Sequence, residues 1–276
     1  MRSRFPALAL VLAASLFLLP PVRAFASDPL PKADEVLKKV IERAKWEKAT
    51  KLEDQWASSH HSISEKLNKD GAVEEKTERL TQPVLIQGKV YSRVVSKNGK
   101  PLTADDQKKE AEREKKFRES LGKKKDKDDD DDDDDVELDE SLIARYNFAV
   151  IKQEPLGDRK AFMMTFLPRP GVKLPEKKKM DKLLNRLEGR IWIDSETYAL
   201  LKVDMHLTEP TTLMAGLGSV RSLDFMIELS QVAPNVFAPK EVNVSFEGRQ
   251  LFKFMRVKQK GYFTDYRKIT ELAEAK

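Results

Sequence analysis

The second half of the chain alternates apolar and polar residues with a period of two. Residues 201–207, 223–230 and 242–247 follow this pattern. In the first of these segments the apolar positions are Leu201, Val203, Met205 and Leu207. Such alternation is typical of an antiparallel strand with one buried face and one face in water. The turn dipeptide Pro234-Asn235 predicts that neighbouring strands follow one another directly.

Other short segments have the β-branched and aromatic character of strands. They cover residues 59–67, 73–86, 89–96, 144–152, 160–166, 188–194, 198–207 and 251–266. Turn signals lie at Asn98-Gly99, over residues 155–158 and at Gly248-Arg249. No segment alternates strand with helix as a doubly wound fold requires. We predict an α+β protein, mainly antiparallel β, in which about 9 to 11 strands form one curved sheet around a helix.

Two segments have helical periodicity. Residues 32–50 carry apolar side chains at helical spacing, with lysine and glutamate between them. These apolar positions are Ala33, Val36, Leu37, Val40, Ile41 and Ala44. Such a stripe is typical of a helix face that packs on a core. A shorter helix is predicted over residues 177–187.

Residues 103–140 differ in composition from the segments around them. Thr103 and Asp106 resemble a capping box, and a helix of lysine, glutamate and arginine is predicted to follow. This helix has few apolar positions, so we expect it to be exposed. Eight consecutive aspartates, Asp128 to Asp135, repel one another and predict a disordered segment. We interpret residues 103–140 as a charged insertion in a single domain over residues 27–276.

The first 26 residues have the three parts of an export signal. Arg2 and Arg4 supply positive charge, residues 7–19 form an apolar run, and Ala24 and Ala26 are the small residues that a signal peptidase reads. The run is shorter than the roughly 20 residues of a membrane span. We expect cleavage after Ala26 and a soluble periplasmic protein. A lipid anchor is not expected, because no cysteine lies near the cleavage point.

The formal net charge of the whole chain is +5, from 51 Lys and Arg against 46 Asp and Glu. The predicted signal holds three arginines and no acid, so the mature chain would carry +2. Outside the cytoplasm, a basic body favours contact with anionic lipid head groups over nucleic acid. A solvated charged surface is the alternative interpretation. The chain has no cysteine, which excludes disulfides, thiolate metal sites and a thiol nucleophile.

Residues for catalysis or metal binding form no recognisable constellation. The first two of the three histidines, His60, His61 and His206, are adjacent and would point to opposite faces of a strand. No serine lies in a Gly-x-Ser-x-Gly elbow. Gly216 and Gly218 lack the third glycine of a dinucleotide fingerprint. We predict a protein that is not an enzyme and uses no metal or cofactor.

Large apolar side chains lie on strands and on one glycine-bearing connection in the second half of the chain. If the curved sheet is incompletely filled, these side chains would line an apolar ligand cavity. The candidates are Trp192, Met214, Leu217, Phe225, Phe246 and Phe254. Ordinary core packing is the alternative interpretation of the same residues.

The order of these segments resembles the LolA-like superfamily, periplasmic relatives of proteins that sort outer-membrane lipoproteins. The resemblance rests first on the helix that opens with Ala33-Asp34-Glu35-Val36-Leu37. It rests further on residues 187–194 (Leu-Glu-Gly-Arg-Ile-Trp-Ile-Asp), on the link over residues 195–197 to the next strand, and on residues 262–268. It implies a half-open antiparallel β barrel with helices packed in its concave side.

Better-known members of this superfamily bind the acyl chains of lipoproteins in an apolar cavity. The resemblance therefore implies a non-enzymatic protein that binds a lipid or lipidated protein, in lipoprotein or lipid trafficking at the outer membrane. The lipidated cysteine of the related receptor is missing, so the soluble carrier is the closer analogue. The charged insertion departs from the carrier pattern. It leaves open a second role, an envelope stress sensor or scaffold that binds protein partners.

Overall fold

The computed structural model describes residues 29–121, 139–171, 179–213, 218–250 and 253–275. The predicted signal and the aspartate run lie outside the described residues. Within these ranges, twelve strands form one sheet in which the paired strands are antiparallel. They are β1 (Trp56–Leu67), β2 (Val73–Ile86), β3 (Lys89–Lys97), β4 (Lys100–Pro101), β5 (Tyr146–Leu156), β6 (Arg159–Pro168), β7 (Leu187–Asp194), β8 (Leu200–Leu207), β9 (Thr211–Leu213), β10 (Gly218–Ala233), β11 (Val236–Gln250) and β12 (Lys253–Lys268).

The strand order is β4-β3-β2-β1-β12-β11-β10-β8-β7-β6-β5, with β9 paired to β10 beside this path. Strand β1 therefore lies next to β12, in a register that runs from Trp56↔Lys268 to Lys66↔Val257. The two ends of the order, β4 and β5, do not pair with each other in the described chain, so the sheet stays open. The predicted fold class, a mainly antiparallel curved half-open barrel with packed helices, is confirmed.

Four helices accompany the sheet in the described residues. They are α1 (Ala33–Thr50), α2 (Ala104–Leu121), α3 (Glu140–Ile143) and α4 (Lys179–Leu184). The predicted apolar stripe of α1 packs on the sheet, where Val36, Leu37 and Val40 are buried against Met164 and Ile193. Each such burial contributes about 1.5–3 kcal/mol. The helix ends where Lys51 adopts a left-handed conformation (φ 49°) and donates its backbone N–H to the Glu47 carbonyl.

Turn chemistry sets the strand ends. Asn98 and Gly99 both have positive φ, 52° and 71°, and Gly157 has φ 61°, as the predicted hairpin turns require. The turn predicted at Gly248-Arg249 is wrong, because both residues lie inside β11 and pair with β10. A glycine is useful at 248 for another reason, since a Cβ there would lie 2.7 Å from the Phe246 ring.

The turn between β7 and β8 is built around one buried carboxylate. Asp194 accepts hydrogen bonds from the backbone N–H groups of Glu196 (3.1 Å) and Thr197 (2.7 Å). Arg159 donates Nε to Oδ2 (2.6 Å) and Nη2 to Oδ1 (2.9 Å) of the same carboxylate. Burial by itself raises the pKa of Asp194, but the hydrogen bonds from Arg159 and Thr197 outweigh it and lower the pKa to about 2.

Helix α2 lies on β3 through polar contacts. Its predicted capping box forms, because the Thr103 Oγ1 accepts the Asp106 backbone N–H at 3.2 Å. Arg93 pairs with Glu114 (2.8 Å), and the Lys97 ammonium pairs with Asp106 (3.0 Å). No residue of α2 is buried, as its composition predicted. The helix is therefore attached to the sheet by charge more than by apolar packing.

Candidate functional site: an apolar cavity and an adjoining groove

An apolar cavity of about 350 Å³ lies between helix α1 and one face of the sheet. Helices α1, α3 and α4 contribute lining residues, and strands β5, β6, β7, β8 and β10 contribute the rest. The lining residues are Leu37, Val40, Leu142, Ile143, Tyr146, Phe148, Phe166, Leu184, Leu187, Ile191, Ile193, Leu200, Val203, Met205 and Phe225. Because five strands of one sheet contribute to one cavity, this face of the sheet is concave.

Strand alternation places these side chains. Ile191 and Ile193 are two residues apart on β7, and Ile191 lies directly opposite Val203 of β8. Cross-strand partners share one face, so both side chains point into the cavity. The register shifts between Trp192 and Ile193, and this irregularity turns Leu200 into the cavity as well. Its neighbour Leu201 is buried in a different apolar cluster.

Tyr146 carries the one polar side chain among the lining residues. Its hydroxyl donates a hydrogen bond to the Leu184 carbonyl, so this polar group is already satisfied. Burial raises the pKa of Tyr146 to about 12, and the phenol stays neutral at physiological pH. The cavity therefore presents neither a charge nor an acid–base pair to a ligand. Its chemistry suits an apolar chain.

A second concavity, of about 450 Å³, follows the cavity along the same face of the sheet. We call it the polar groove, and it is formed by β1, β2, β11 and β12. Its polar lining residues are His60, Ser62, Ser64, Lys66, Glu75, Thr77, Arg79, Gln259 and Lys260. The His60 ring stacks on Phe263 with centroids 4.4 Å apart. Burial, with a smaller contribution from His61, lowers the pKa of His60, which favours the neutral imidazole.

The six sequence-predicted cavity residues are dispersed. Phe225 lines the apolar cavity. Trp192 alternates with Ile191 and Ile193, lies on the other face of the sheet and donates its Nε1 hydrogen to Glu154 (2.8 Å). Phe254 borders a basic concavity on that other face. Phe246 pairs with Val257, next to the polar groove. Met214 and Leu217 lie outside the described residues, so a role for them stays a prediction.

Most of the cavity wall was not singled out from the sequence. Leu37 and Val40 belong to the helical stripe that predicted packing on the sheet, and that stripe was the available signal. Leu142 and Ile143 lie on α3, which follows the aspartate run. This helix has only four residues, too few for a helical periodicity to be visible in the sequence. Alternation predicted that the strand residues of the wall form a buried face. It does not show whether a buried face is packed or borders a cavity.

The three histidines are separated. His60 lies in the polar groove, and His61 points to the opposite face, where its Nε2 lies 2.7 Å from Glu78. The prediction that adjacent histidines diverge is confirmed. His206 lies 3.1 Å from Glu188 on β7. In the described chain no three side chains among His, Asp and Glu are grouped as metal ligands would be.

No protein-family model matches the sequence, and no curated protein sequence matches it. A putative outer membrane lipoprotein-sorting protein domain from Vibrio parahaemolyticus is 14% identical over 86% of this chain and 95% of its own, with a TM-score of 0.35. A LolA superfamily protein from Nitrosomonas europaea is 8% identical over 90% and 96%, with a TM-score of 0.29. The MucA/MucB complex of Pseudomonas aeruginosa contains a chain 13% identical over 88% and 99%, with a TM-score of 0.24.

Likeness at these identities concerns the fold alone. The open antiparallel sheet with helices packed on one face is described by the structure itself. The LolA-like assignment stays a prediction from the sequence, since every TM-score above is below 0.5. In the described part of the chain, no helix combines the length and apolar character that crossing a bilayer requires.

Proposed function

We propose that this protein binds an acyl chain of a lipid or of a lipidated protein in the apolar cavity, and that it acts as a periplasmic carrier and not as an enzyme. One observation carries the proposal. A cavity of about 350 Å³ lies between α1 and the sheet, and its one polar side chain, Tyr146, already has a hydrogen-bond partner. A ligand that fills this space must itself be apolar, because a polar ligand would lose its hydrogen bonds to water.

The size of the cavity supports binding of one chain. Ligand cavities range from about 300 to 1,000 Å³. Each buried CH₂ group contributes about 0.8 kcal/mol, so ten methylenes contribute on the order of 8 kcal/mol before ordering costs. That gain alone corresponds to a dissociation constant of about 1 μM, and the ordering costs make micromolar affinity the upper limit for a single-chain ligand.

A path into the cavity supports the proposal as well. A shallow concavity between α1 and α3 is lined by Leu37, Ile41, Glu140 and Ile143, among others. Leu37 and Ile143 also line the inner cavity, so the two spaces share one wall. The exposed pair of Lys45 and Glu140 (2.9 Å) spans the two helices at this point. A surface ion pair of this kind contributes at most about 1 kcal/mol and would open readily.

Titration with cis-parinaric acid, a fatty acid that fluoresces in apolar surroundings, tests the proposal directly. We expect saturable binding at one site per chain with a dissociation constant on the order of 1 μM. Native mass spectrometry of protein purified from its own cell envelope should show a bound lipid or lipidated peptide. Absence of probe binding together with a ligand-free mass would contradict the proposal.

The periplasmic location rests on the sequence of the first 26 residues, which lie outside the described residues. Amino-terminal sequencing of protein from the envelope fraction should begin at Ser27. A mature protein that keeps Met1, or one recovered from the cytoplasm, would contradict this part of the proposal.

A second candidate function is that of an envelope sensor or scaffold. The observation that favours it is helix α2, which has no buried residue and presents a dense row of charges. Removal of residues 104–121 should then abolish cross-linking to a partner protein while parinaric acid still binds. Unchanged cross-linking in this variant would leave the carrier as the better account.

A further inference from the structure

The apolar cavity and the polar groove belong to one continuous face of the sheet. Direct cross-strand partners share a face. One row of partners begins at Val203 in the cavity wall and passes through Ile227, Val242, Gly261 and Ser62 to Arg79. A parallel row connects Met205 to Thr77 through Phe225, Val244, Gln259 and Ser64. The face thus changes from apolar to polar along each row.

The length of this gradient matches an extended amphipathic molecule. Five strand spacings of about 4.8 Å separate Val203 from Arg79, roughly 24 Å along the sheet. Helix α1 covers the apolar end through its contacts with Met164 and Ile193. At the polar end, strands β1 and β2 supply most of the hydroxyl and charged side chains that line the groove.

Gly261 accommodates the His60 ring at the centre of the groove. Its backbone is ordinary extended strand, so the glycine is not needed for its conformation. A Cβ at this position would lie 2.7 Å from Nε2 of His60, so any side chain would displace the imidazole from its stack on Phe263. The missing side chain therefore makes room for the His60 imidazole, beside Ser62, the cross-strand neighbour of Arg79.

The charges in the groove favour an anion. Lys66 and Glu75 form an ion pair at 2.5 Å and neutralise each other. His60 carries no charge when its pKa is lowered by burial. Arg79 is exposed and has no ion-pair partner among the described residues. The hydroxyls of Ser62 and Thr77 flank it on the same face. A guanidinium with hydroxyl donors beside it is suited to the oxygens of a phosphate group.

We infer that the polar groove binds the phosphate-bearing head group of an amphipathic lipid whose acyl chain occupies the apolar cavity, with Arg79 as the main contact. This inference rests on the proposed function and adds the class of head group to it. It identifies a second half of the ligand site, on strands β1 and β2, that the apolar cavity alone does not define.

Two single-chain lipids test the inference, because they share an oleoyl chain and differ in the phosphate. They are oleoyl lysophosphatidic acid and monooleoylglycerol, each measured below its micelle concentration by displacement of parinaric acid. We expect the phosphorylated lipid to bind at least about tenfold more tightly, the effect of one charge-assisted contact. Arg79→Gln should remove this preference and leave monooleoylglycerol unchanged, and Arg79→Lys should retain part of it.

Lys76→Gln is the matched control, since Lys76 lies on β2 with its side chain on the opposite face, 3.4 Å from Glu65. It removes one positive charge and should keep the preference. Equal affinities of the two lipids for the wild-type protein, or equal losses in both variants, would overturn the inference and leave chain binding standing. If neither lipid binds, the proposed function fails as well.

Binding of glycerol 3-phosphate tests whether the groove recognises a lipid head group or a free phosphate compound. It offers the same anion without a chain, so it should bind at least about a hundredfold more weakly than lysophosphatidic acid. Comparable affinities would mean that the groove serves a water-soluble phosphate compound, and this result would also overturn the inference.

Discussion

Arg159 holds the carboxylate of Asp194 with both ends of its guanidinium, at 2.6 Å from Nε and 2.9 Å from Nη2. The Asp194 side chain is 1% exposed, whereas that of Arg159 is 21% exposed. The pair joins the start of β6 to the turn that ends β7, behind the cavity wall. It links β6 and β7, the two strands that carry Met164 and Ile193 against α1.

Replacing Arg159 with alanine should destabilise the protein strongly, because it leaves a buried carboxylate without its cation. We expect a loss of about 3 kcal/mol in the free energy of unfolding, measured by urea denaturation. Arg190→Ala is the control, since Arg190 pairs with Asp204 and both side chains are more than a third exposed. That variant should lose less than about 1 kcal/mol. Similar losses in both would show that burial of Asp194 does not matter.

The same pair predicts how stability depends on pH. The pKa of Asp194 is about 2 when folded and 3.8 in its ordinary state, so the unfolded chain takes up the proton first as the pH falls. The contribution, about 2 kcal/mol, is complete above pH 4 and is lost between about pH 4 and pH 2. The stability difference between wild type and Asp194→Asn should shrink over this range. A difference that stays constant down to pH 2 would contradict the assignment.

Filling the cavity should weaken chain binding. Val203→Phe places an aromatic ring in the cavity wall, and we expect parinaric acid to bind at least tenfold more weakly. His206→Phe adds the same side chain to the same strand, on the polar face where His206 meets Glu188. It should leave the affinity unchanged. If both variants weakened parinaric acid binding equally, or if neither did, the probe would not be bound in the cavity.

Attachment of α2 to β3 should weaken with salt. Raising NaCl from 0.1 to 1 M shortens the screening length from about 10 to 3 Å, which weakens partly exposed pairs such as Arg93–Glu114 and Lys97–Asp106. Amide hydrogen exchange in α2 should accelerate severalfold, while exchange in β7 should stay constant. An unchanged α2 would mean that the contact of Tyr91 with Phe117 (5.0 Å) holds the helix instead.

Gly189 should tolerate no side chain. A Cβ there would collide with the Asp204 carbonyl and lie 2.7 Å from Cα of Met205, both backbone atoms of β8. Gly189→Ala should therefore cost at least about 2 kcal/mol, measured by thermal or urea unfolding. Gly88→Ala is the comparison, because open space surrounds Gly88 and only its positive φ of 70° opposes alanine, at about 1 kcal/mol. The reverse order would contradict this account.

Periodicity predicted the strands and α1 closely, because both depend on local patterns. The helix expected over residues 32–50 is observed as Ala33–Thr50, and the segment 73–86, which was expected to contain a strand, is a strand throughout. The faces were harder to predict. Leu201, predicted on one face with Val203, lies in another cluster because the register shifts beside Ile193. A one-residue irregularity of this kind leaves no trace in the alternation.

The cavity depends on which buried faces stay unfilled, and this follows from the distance between α1 and the sheet. Phe225 was predicted as a cavity residue and lies there, whereas Trp192 packs on the opposite face. Sequence alone records that both are large and apolar. The polar groove was missed for a related reason. His60, Ser62 and Arg79 are far apart in the chain from Val203, and only the strand order brings them onto one face.

The adjacency of β1 and β12 has a consequence for biosynthesis. The last of the described strands, β12, lies between β1 and β11, so β1–β4 have no partner in the second half of the chain until β12 is available. Because such distant pairing is slow to form, the nascent polypeptide stays without its complete sheet throughout translation. A chain with this strand order can complete its sheet only after β12 has been synthesised.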